Sequence, residues 1–110
     1  MKEKIEILNN VNENISNLKK IIFKIIEYLH NKEEAKGFTL IADLSNEIYS
    51  LFEVLEYIEG FEKSQSYIET INEKLNEIVE AIENEDIMLI ADLFEYELIT
   101  ILDDIQKKLK

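Results

Sequence analysis

A glutamate and a histidine lie three positions apart near the end of the first predicted helix, in the segment Glu27-Tyr28-Leu29-His30. This E-x-x-H spacing supplies half of the ligand set of di-iron carboxylate bundles, which need the motif on two helices together with further inward-facing glutamates. His30 is the only histidine of the chain, so the second half would have to come from another copy. We therefore favour an ordinary helix end over a metal centre, and we expect no metal and no cofactor.

Two aspartates form the second candidate for chemistry. Asp43 and Asp92 lie in two identical copies of the pentapeptide LIADL, at residues 40–44 and 89–93. If the carboxylates met across a helical bundle, they could bind a metal ion or small ligand, or act as an acid and a base. If each lay at a helix edge, it would reach water or a lysine. We favour the second interpretation because lone carboxylates are seldom left buried.

Motifs that carry catalysis are otherwise missing from the sequence. The chain has no cysteine, nucleophile elbow, phosphate-binding loop or dinucleotide fingerprint. A ridge of acids recurs at spacing three, but calcium loops place their ligands in a glycine-containing turn and not along a helix. We therefore expect a protein that is not an enzyme. The ridge consists of Glu53, Glu56, Glu59 and Glu62.

The charge of the chain excludes two classes of partner. Its net charge is −12, from 24 acids and 12 lysines with no arginine. Nucleic acids and anionic membrane surfaces both need a basic surface, so neither is an expected partner. No apolar run approaches the roughly 18 residues that span a bilayer, and the N-terminal residues do not resemble a secretion signal. We expect a cytoplasmic location.

Apolar residues recur at alternating spacings of three and four, which predicts a single all-α domain over residues 1–110. The expected helices cover residues 4–30, 32–59, 65–83 and 87–109, and short connections between them predict an up-down four-helix bundle. Gly37 could mark a late beginning or a kink in the second helix. The expected helix caps are Asn31, Gly60, Ser64 or Ser66, and Asp86.

The two halves of the chain also share a pattern. The first and third helices both end in a glutamate, an apolar residue two later and an asparagine two after that, and a helix with LIADL follows each. Two related antiparallel hairpins are the natural interpretation, with four extra residues in the first copy. The alternative is coincidence in a chain rich in leucine, isoleucine and glutamate.

Several helices are apolar over a wider arc than a monomeric bundle needs, since each helix then buries only one stripe. The excess residues must be covered, because large apolar patches are unusual on monomers. We expect a homodimer to cover them, and a groove that receives a partner helix would also account for them. The Asn-rich residues 9–17 are poor helix formers and could detach to open such a groove. The excess comprises Ile21, Phe23, Leu40, Tyr49, Phe52, Met88, Phe94 and Tyr96.

The residues 86–110 resemble the end of an uncharacterised family of small helical proteins from low-GC Firmicutes such as clostridia. The family has a C-terminal ADL(L/F)EYEL motif, and this chain reads ADLFEYEL at residues 91–98. The resemblance implies no catalytic residues, and it suggests a possible association with motility. In LIADLFEYEL, we expect Leu89, Ile90, Leu93, Phe94 and Leu98 to form the core and interface.

The leading hypothesis is a non-enzymatic helical interaction module, a small cytoplasmic adaptor or chaperone-like protein that receives a partner helix. The alternatives are a self-associating bundle whose own dimer covers the excess apolar surface, and a bundle with a carboxylate site for a metal or small ligand. If the chain has a recognition edge, we expect it at Asp92, Glu95, Tyr96, Glu97, Asp43, Tyr49 and Phe52.

Overall fold

The all-α fold is confirmed, with four helices and no strand among the residues described. A computed structural model describes residues 2–57 and 64–109. The helices are α1 (Lys2–His30), α2 (Glu34–Tyr57), α3 (Ser64–Glu83), α4 (Ile87–Asp92) and α5 (Ile99–Leu109), and the π-helical segment Leu93–Leu98 joins the last two into one continuous fourth helix. The predicted end of the second helix at residue 59, its Gly60 cap and the acids Glu59 and Glu62 lie outside these residues.

The turn between α1 and α2 satisfies the last carbonyl groups of α1. The Glu33 N–H donates to the Tyr28 carbonyl at 2.8 Å, and the Lys32 N–H donates to the Leu29 carbonyl at 3.3 Å. Lys32 has a φ of 61°, so this is a Schellman turn with a lysine in the left-handed position that glycine usually takes. Asn31 therefore belongs to the end of α1, and α2 begins at Glu34 and not at residue 32.

The turn between α3 and α4 has the same construction. Asp86 and Glu85 donate to the carbonyls of Ala81 and Ile82 at 2.9 and 3.0 Å, and Glu85 has a φ of 55°. The predicted Asp86 cap is confirmed, since its side chain accepts a hydrogen bond from the backbone N–H of Leu89 at 3.2 Å. Because α4 starts only two residues before its LIADL copy and α2 starts six residues before the other, the copies lie about one helical turn apart in their hairpins.

Gly37 lies in the first turn of α2, where α1 and α2 approach closely. A Cβ at this position would lie 3.3 Å from Leu29 Cδ2 and 3.6 Å from Tyr28 Cβ. The glycine therefore allows close helix packing, and it marks neither a kink nor the beginning of the helix.

The helices enclose one elongated core, and the described residues measure 47 × 21 × 20 Å. α1 packs along α2 on one side and along the fourth helix on the other. α3 packs on the fourth helix and approaches α2 much less, while the backbones of α2 and the described fourth helix do not come close to each other. The fourth helix is therefore diagonal to α2. The fully buried side chains include Ile15, Ile22, Leu44, Ile48, Leu55, Ile71, Ile90 and Phe94.

The eight residues expected to be in excess divide into three groups. Phe52 and Phe94 are buried within the chain, so the expectation that a partner must cover them is wrong. Ile21 and Leu40 pack partly against the core. The remaining four side chains are exposed, namely Phe23, Tyr49, Met88 and Tyr96.

A π-helical segment interrupts the fourth helix at the LFEYEL sequence, where the Ile99 N–H donates to the carbonyl of Phe94, five residues earlier. Buried residues here recur at four successive positions spaced by four, Ile90, Phe94, Leu98 and Leu102. A regular α-helix would rotate these positions away from the core, whereas the wider π turn keeps them on one face. The segment thus turns Phe94 inward and leaves Tyr96 outside.

None of the helices within 2–57 and 64–109 combines the length and the hydropathy that a membrane-crossing segment requires.

Candidate functional site

The two LIADL aspartates are not brought together. Asp43 lies on α2 and Asp92 on α4, and both side chains are exposed. The helices that carry them lie diagonally across the core, and their backbones do not come close to each other. In the described part of the chain, no three acidic or histidine side chains cluster as metal ligands, and His30 is exposed at the last position of α1.

The other predicted edge residues of the fourth helix point in different directions. The Tyr96 side chain is 67% exposed, while Glu95 is half-buried. Glu97 faces α3 and forms an ion pair with Lys74 at 3.5 Å. Lys74 also pairs with Glu77 at 3.1 Å, and this hydrogen bond raises the pKa of Lys74. These contacts fasten α3 to the π-helical segment.

Tyr49 and Phe52 of α2 form an edge-to-face aromatic pair. Their ring centres are 5.8 Å apart and the rings are inclined by 87°, which is a favourable geometry for two aromatic rings. Phe52 is buried, whereas the Tyr49 side chain is 57% exposed. The pair therefore connects the core with an exposed aromatic surface on α2.

We infer that the side of α2 that carries this pair faces α3, because it lies away from α1. Lys36 marks the side of α2 towards α1, because its Nζ lies 5.8 Å from the centre of the Tyr28 ring. The opposite side carries apolar and small residues at spacings of seven, four and three, so they share one helix face. These residues are Phe38, Ser45, Tyr49 and Phe52.

The facing side of α3 has the same spacing of seven, four and three. Tyr67 and Lys74 mark the side of α3 towards the fourth helix, since they pair with Asp104 and Glu97 there. The side of α3 towards α2 therefore carries Ile68, Leu75, Val79 and Ile82. Leu75 and Ile82 are half-buried, and the Val79 side chain is 52% exposed.

Together these faces form an apolar surface along α2 and α3, whose backbones come close to each other at few points. We call it the α2–α3 groove. Phe52 near the end of α2 and Ile68 near the start of α3 lie on these faces, and both are buried. The backbones of the two helices make little contact, and half-buried apolar side chains form the floor between the exposed Tyr49 and Val79. The groove residues are Phe38, Ile41, Tyr49, Leu75, Val79 and Ile82.

Two clefts lie on either side of α5. In a cleft of about 520 Å³, Lys19 donates to Asp103 and Gln106, and the Gln106 amide donates to the carbonyl of Asn12 and to Ser16 at 3.0 and 3.1 Å. These hydrogen bonds pair the polar side chains of the cleft with one another and join α1 to α5. The arrangement supports the packing of α1 against α5.

The second cleft, of about 410 Å³, contains the Tyr67 hydroxyl, which donates to Asp104 Oδ2 at 2.5 Å. Burial of the ring and this hydrogen bond raise the pKa of Tyr67 to about 12. The bond joins α3 to α5 and keeps the phenol protonated.

This bond predicts a specific pH dependence. The pKa of Tyr67 is about 10 in the unfolded chain and about 12 in the folded one, so its contribution is complete below pH 10 and is lost as pH rises through 12. The contribution is at most about 3 kcal/mol. Urea unfolding should be measured at pH 9 and at pH 11.5. Between these two pH values the free energy of unfolding should fall further for the protein than for the Tyr67→Phe variant, which keeps the same lysines but lacks the phenol hydroxyl. An equal loss in both proteins would contradict the prediction.

Sequence reasoning identified Tyr49 and Phe52 but missed the α3 side of the groove. Val79 was the available signal, because it is an apolar residue outside the regular stripe of α3 and lies four positions after Leu75. The bonds of Lys19 and Tyr67 to α5 carried no sequence signal, since they depend on which helices are neighbours.

Comparison with known protein families gives a match over nearly the whole chain. A family model described as a domain of unknown function, DUF8042, matches residues 6–108. Curated proteins and solved structures give no match to the chain. The family match spans all four helices and agrees with the uncharacterised family expected from the sequence. The chain belongs to the DUF8042 family.

Proposed function

We propose that this protein is a non-enzymatic interaction module whose α2–α3 groove receives an amphipathic helix of another protein. One observation carries the proposal: two neighbouring helices of a small domain make little contact and leave apolar side chains partly exposed between them. Helix-in-groove binding uses this kind of surface, with the apolar face of the incoming helix laid against the floor. An adaptor or chaperone-like role in the cytoplasm fits such a surface.

The up-down arrangement of two antiparallel hairpins would keep the groove in shape. Contacts of α3 with the π-helical segment and α5 fix one wall, and the long packing of α2 on α1 fixes the other. An incoming helix would then find a surface that is already organised, which lowers the entropic cost of binding.

The test uses a neutral designed helix, with leucines along one face and glutamines elsewhere, labelled for fluorescence anisotropy. We expect it to bind, and Val79→Asp to weaken binding by about tenfold or more, because a carboxylate would be buried against the floor. Met88→Asp is the matched control. Met88 is 79% exposed and apolar but lies on the fourth helix, outside the groove. Absence of binding, or equal loss in both variants, would contradict the proposal.

A self-associating bundle is the second candidate, and the exposed side chains of Phe23, Met88 and Tyr96 favour it. These residues lie on α1 and the fourth helix, away from the groove, so a homodimer would use a different surface. Light scattering at micromolar concentration tests it, and a strictly monomeric mass would dispose of this candidate.

A further inference from the structure

The two helices that line the α2–α3 groove are acidic. α2 and α3 each carry five acids and one lysine within their described ranges. By contrast, the sequence of α1 carries five lysines and four glutamates. α2 and α3 are therefore more acidic than α1, while the sequence of the fourth helix carries five acids and two lysines.

The two lysines of these helices do not neutralise the groove. Lys36 lies on the α1 side of α2, where it pairs with Glu33 at 3.4 Å and lies over the Tyr28 ring. Lys74 lies on the opposite side of α3 from the groove and pairs with Glu77 and Glu97. Within the described parts of both helices, the charges left near the groove are carboxylates.

These carboxylates lie beyond both ends of the apolar floor. Because α2 and α3 run antiparallel, Glu34 at the start of α2 and Glu83 at the end of α3 belong to one end of the groove. Glu53 and Glu56 lie on the exposed surface of α2 near the other end. Residues 34 and 53 are separated by about 28 Å along the axis of α2, at 1.5 Å per residue.

We propose that the partner is a cationic amphipathic helix of about five turns, with an apolar stripe at its centre and lysine or arginine residues at both ends. The inference rests on the proposed function, and it names the chemistry of the helix that the groove receives. Basic residues at the ends of the helix would pair with the carboxylates at both ends of the floor, whereas an acidic or neutral helix would form no ion pairs there. A second copy of this chain would bring another acidic α2 and α3, which is unfavourable.

Three peptides of about 19 residues test the inference, with the same leucine stripe and with lysine, glutamine or glutamate at both ends. In low salt we expect the lysine peptide to bind about tenfold more tightly than the glutamine peptide, and the glutamate peptide more weakly than either. The preference should disappear near 1 M salt, where charges are screened within a few ångströms. The triple variant Glu53→Gln, Glu56→Gln, Glu83→Gln should remove most of the preference and leave binding of the glutamine peptide unchanged.

A matched triple variant distinguishes local from overall charge. Glu6→Gln, Glu13→Gln, Glu27→Gln removes the same charge from exposed positions of α1, and it should keep the preference. If both triple variants lose the preference for the lysine peptide equally, or if all three peptides bind equally, the inference is overturned. The proposed function would still stand, because the groove would still bind a helix. If no peptide binds, the proposed function itself fails. If Val79→Asp converts a dimer into a monomer, the occupant is a second copy and the inference is overturned.

Discussion

Deleting Tyr96 is expected to leave the protein folded, whereas deleting Asn17 is expected to unfold it. Both side chains are exposed and both lie inside a continuous helix, so neither side chain is itself part of the core. The two deletions differ in their effect on helical register. A deletion in an α-helix rotates everything beyond it by about 100°, and this rotation decides whether buried side chains stay in the core.

The π-helical segment Leu93–Leu98 contains one residue more than regular α-helical spacing needs. Ile90, Phe94, Leu98 and Leu102 are all buried and recur every four residues. In an α-helix, three such steps rotate the buried face by about 120°. Removing Tyr96 changes these spacings to four, three and four, which an unbroken α-helix can place on one face. The deletion should convert the segment to α-helix and keep the core.

Asn17 has no such compensation. The buried residues of α1 around it are Val11, Ile15, Leu18 and Ile22, with regular spacings of four, three and four. Deleting Asn17 would rotate either the first pair or the second pair out of the core. Exposing two large apolar side chains costs about 3–6 kcal/mol, which is comparable to the whole stability of a small domain.

Circular dichroism with urea unfolding checks both deletions. The protein without Tyr96 should retain a cooperative transition and lose less than about 2 kcal/mol. The protein without Asn17 should show no cooperative transition. Equal destabilisation by the two deletions would mean that the π turn does not absorb an extra residue.

Much of the fold could be predicted because its determinants are local. Alternating spacings of three and four predicted four helices, and the Asp86 cap followed from a carboxylate before an apolar run. The hairpin turns could not be predicted in detail, because Lys32 and Glu85 occupy left-handed positions that glycine usually marks. The repeated spacing of four between apolar residues is consistent with the π turn. The same spacing also occurs in a regular α-helix with a wide apolar face, so the sequence alone does not distinguish the two.

The candidate site was only partly predictable because it depends on which helices are neighbours. Asp43 and Asp92 share a pentapeptide, yet their helices are diagonal and their side chains are apart. Tyr49 was readable as an apolar residue outside the main stripe of its helix. The role of its counterpart Val79 could not be predicted, because it depends on α2 and α3 being neighbours that make little contact. Residue types define faces, whereas packing decides which faces remain open.

Replacing Phe94 with alanine is expected to cost about 3–5 kcal/mol of folding stability. Phe94 is fully buried and is the largest of the fully buried side chains described. It lies in the π-helical segment, so a smaller residue would leave a cavity where the fourth helix meets the core. Tyr96→Ala is the matched control, since Tyr96 lies in the same segment with its side chain outside, and it should change stability by less than about 0.5 kcal/mol.

Urea unfolding together with solution mass separates this role from an interface role. If Phe94 supports the core of a single chain, Phe94→Ala should lower the unfolding midpoint at every protein concentration. If Phe94 instead packed against another chain, the same substitution would lower the solution mass, and its effect on unfolding would depend on protein concentration. The second result would contradict the buried position of Phe94 and would return it to the residues that a partner must cover. The first result would leave Phe23, Tyr49, Met88 and Tyr96 as the exposed side chains of the original eight, and of these Tyr49 alone lines the α2–α3 groove.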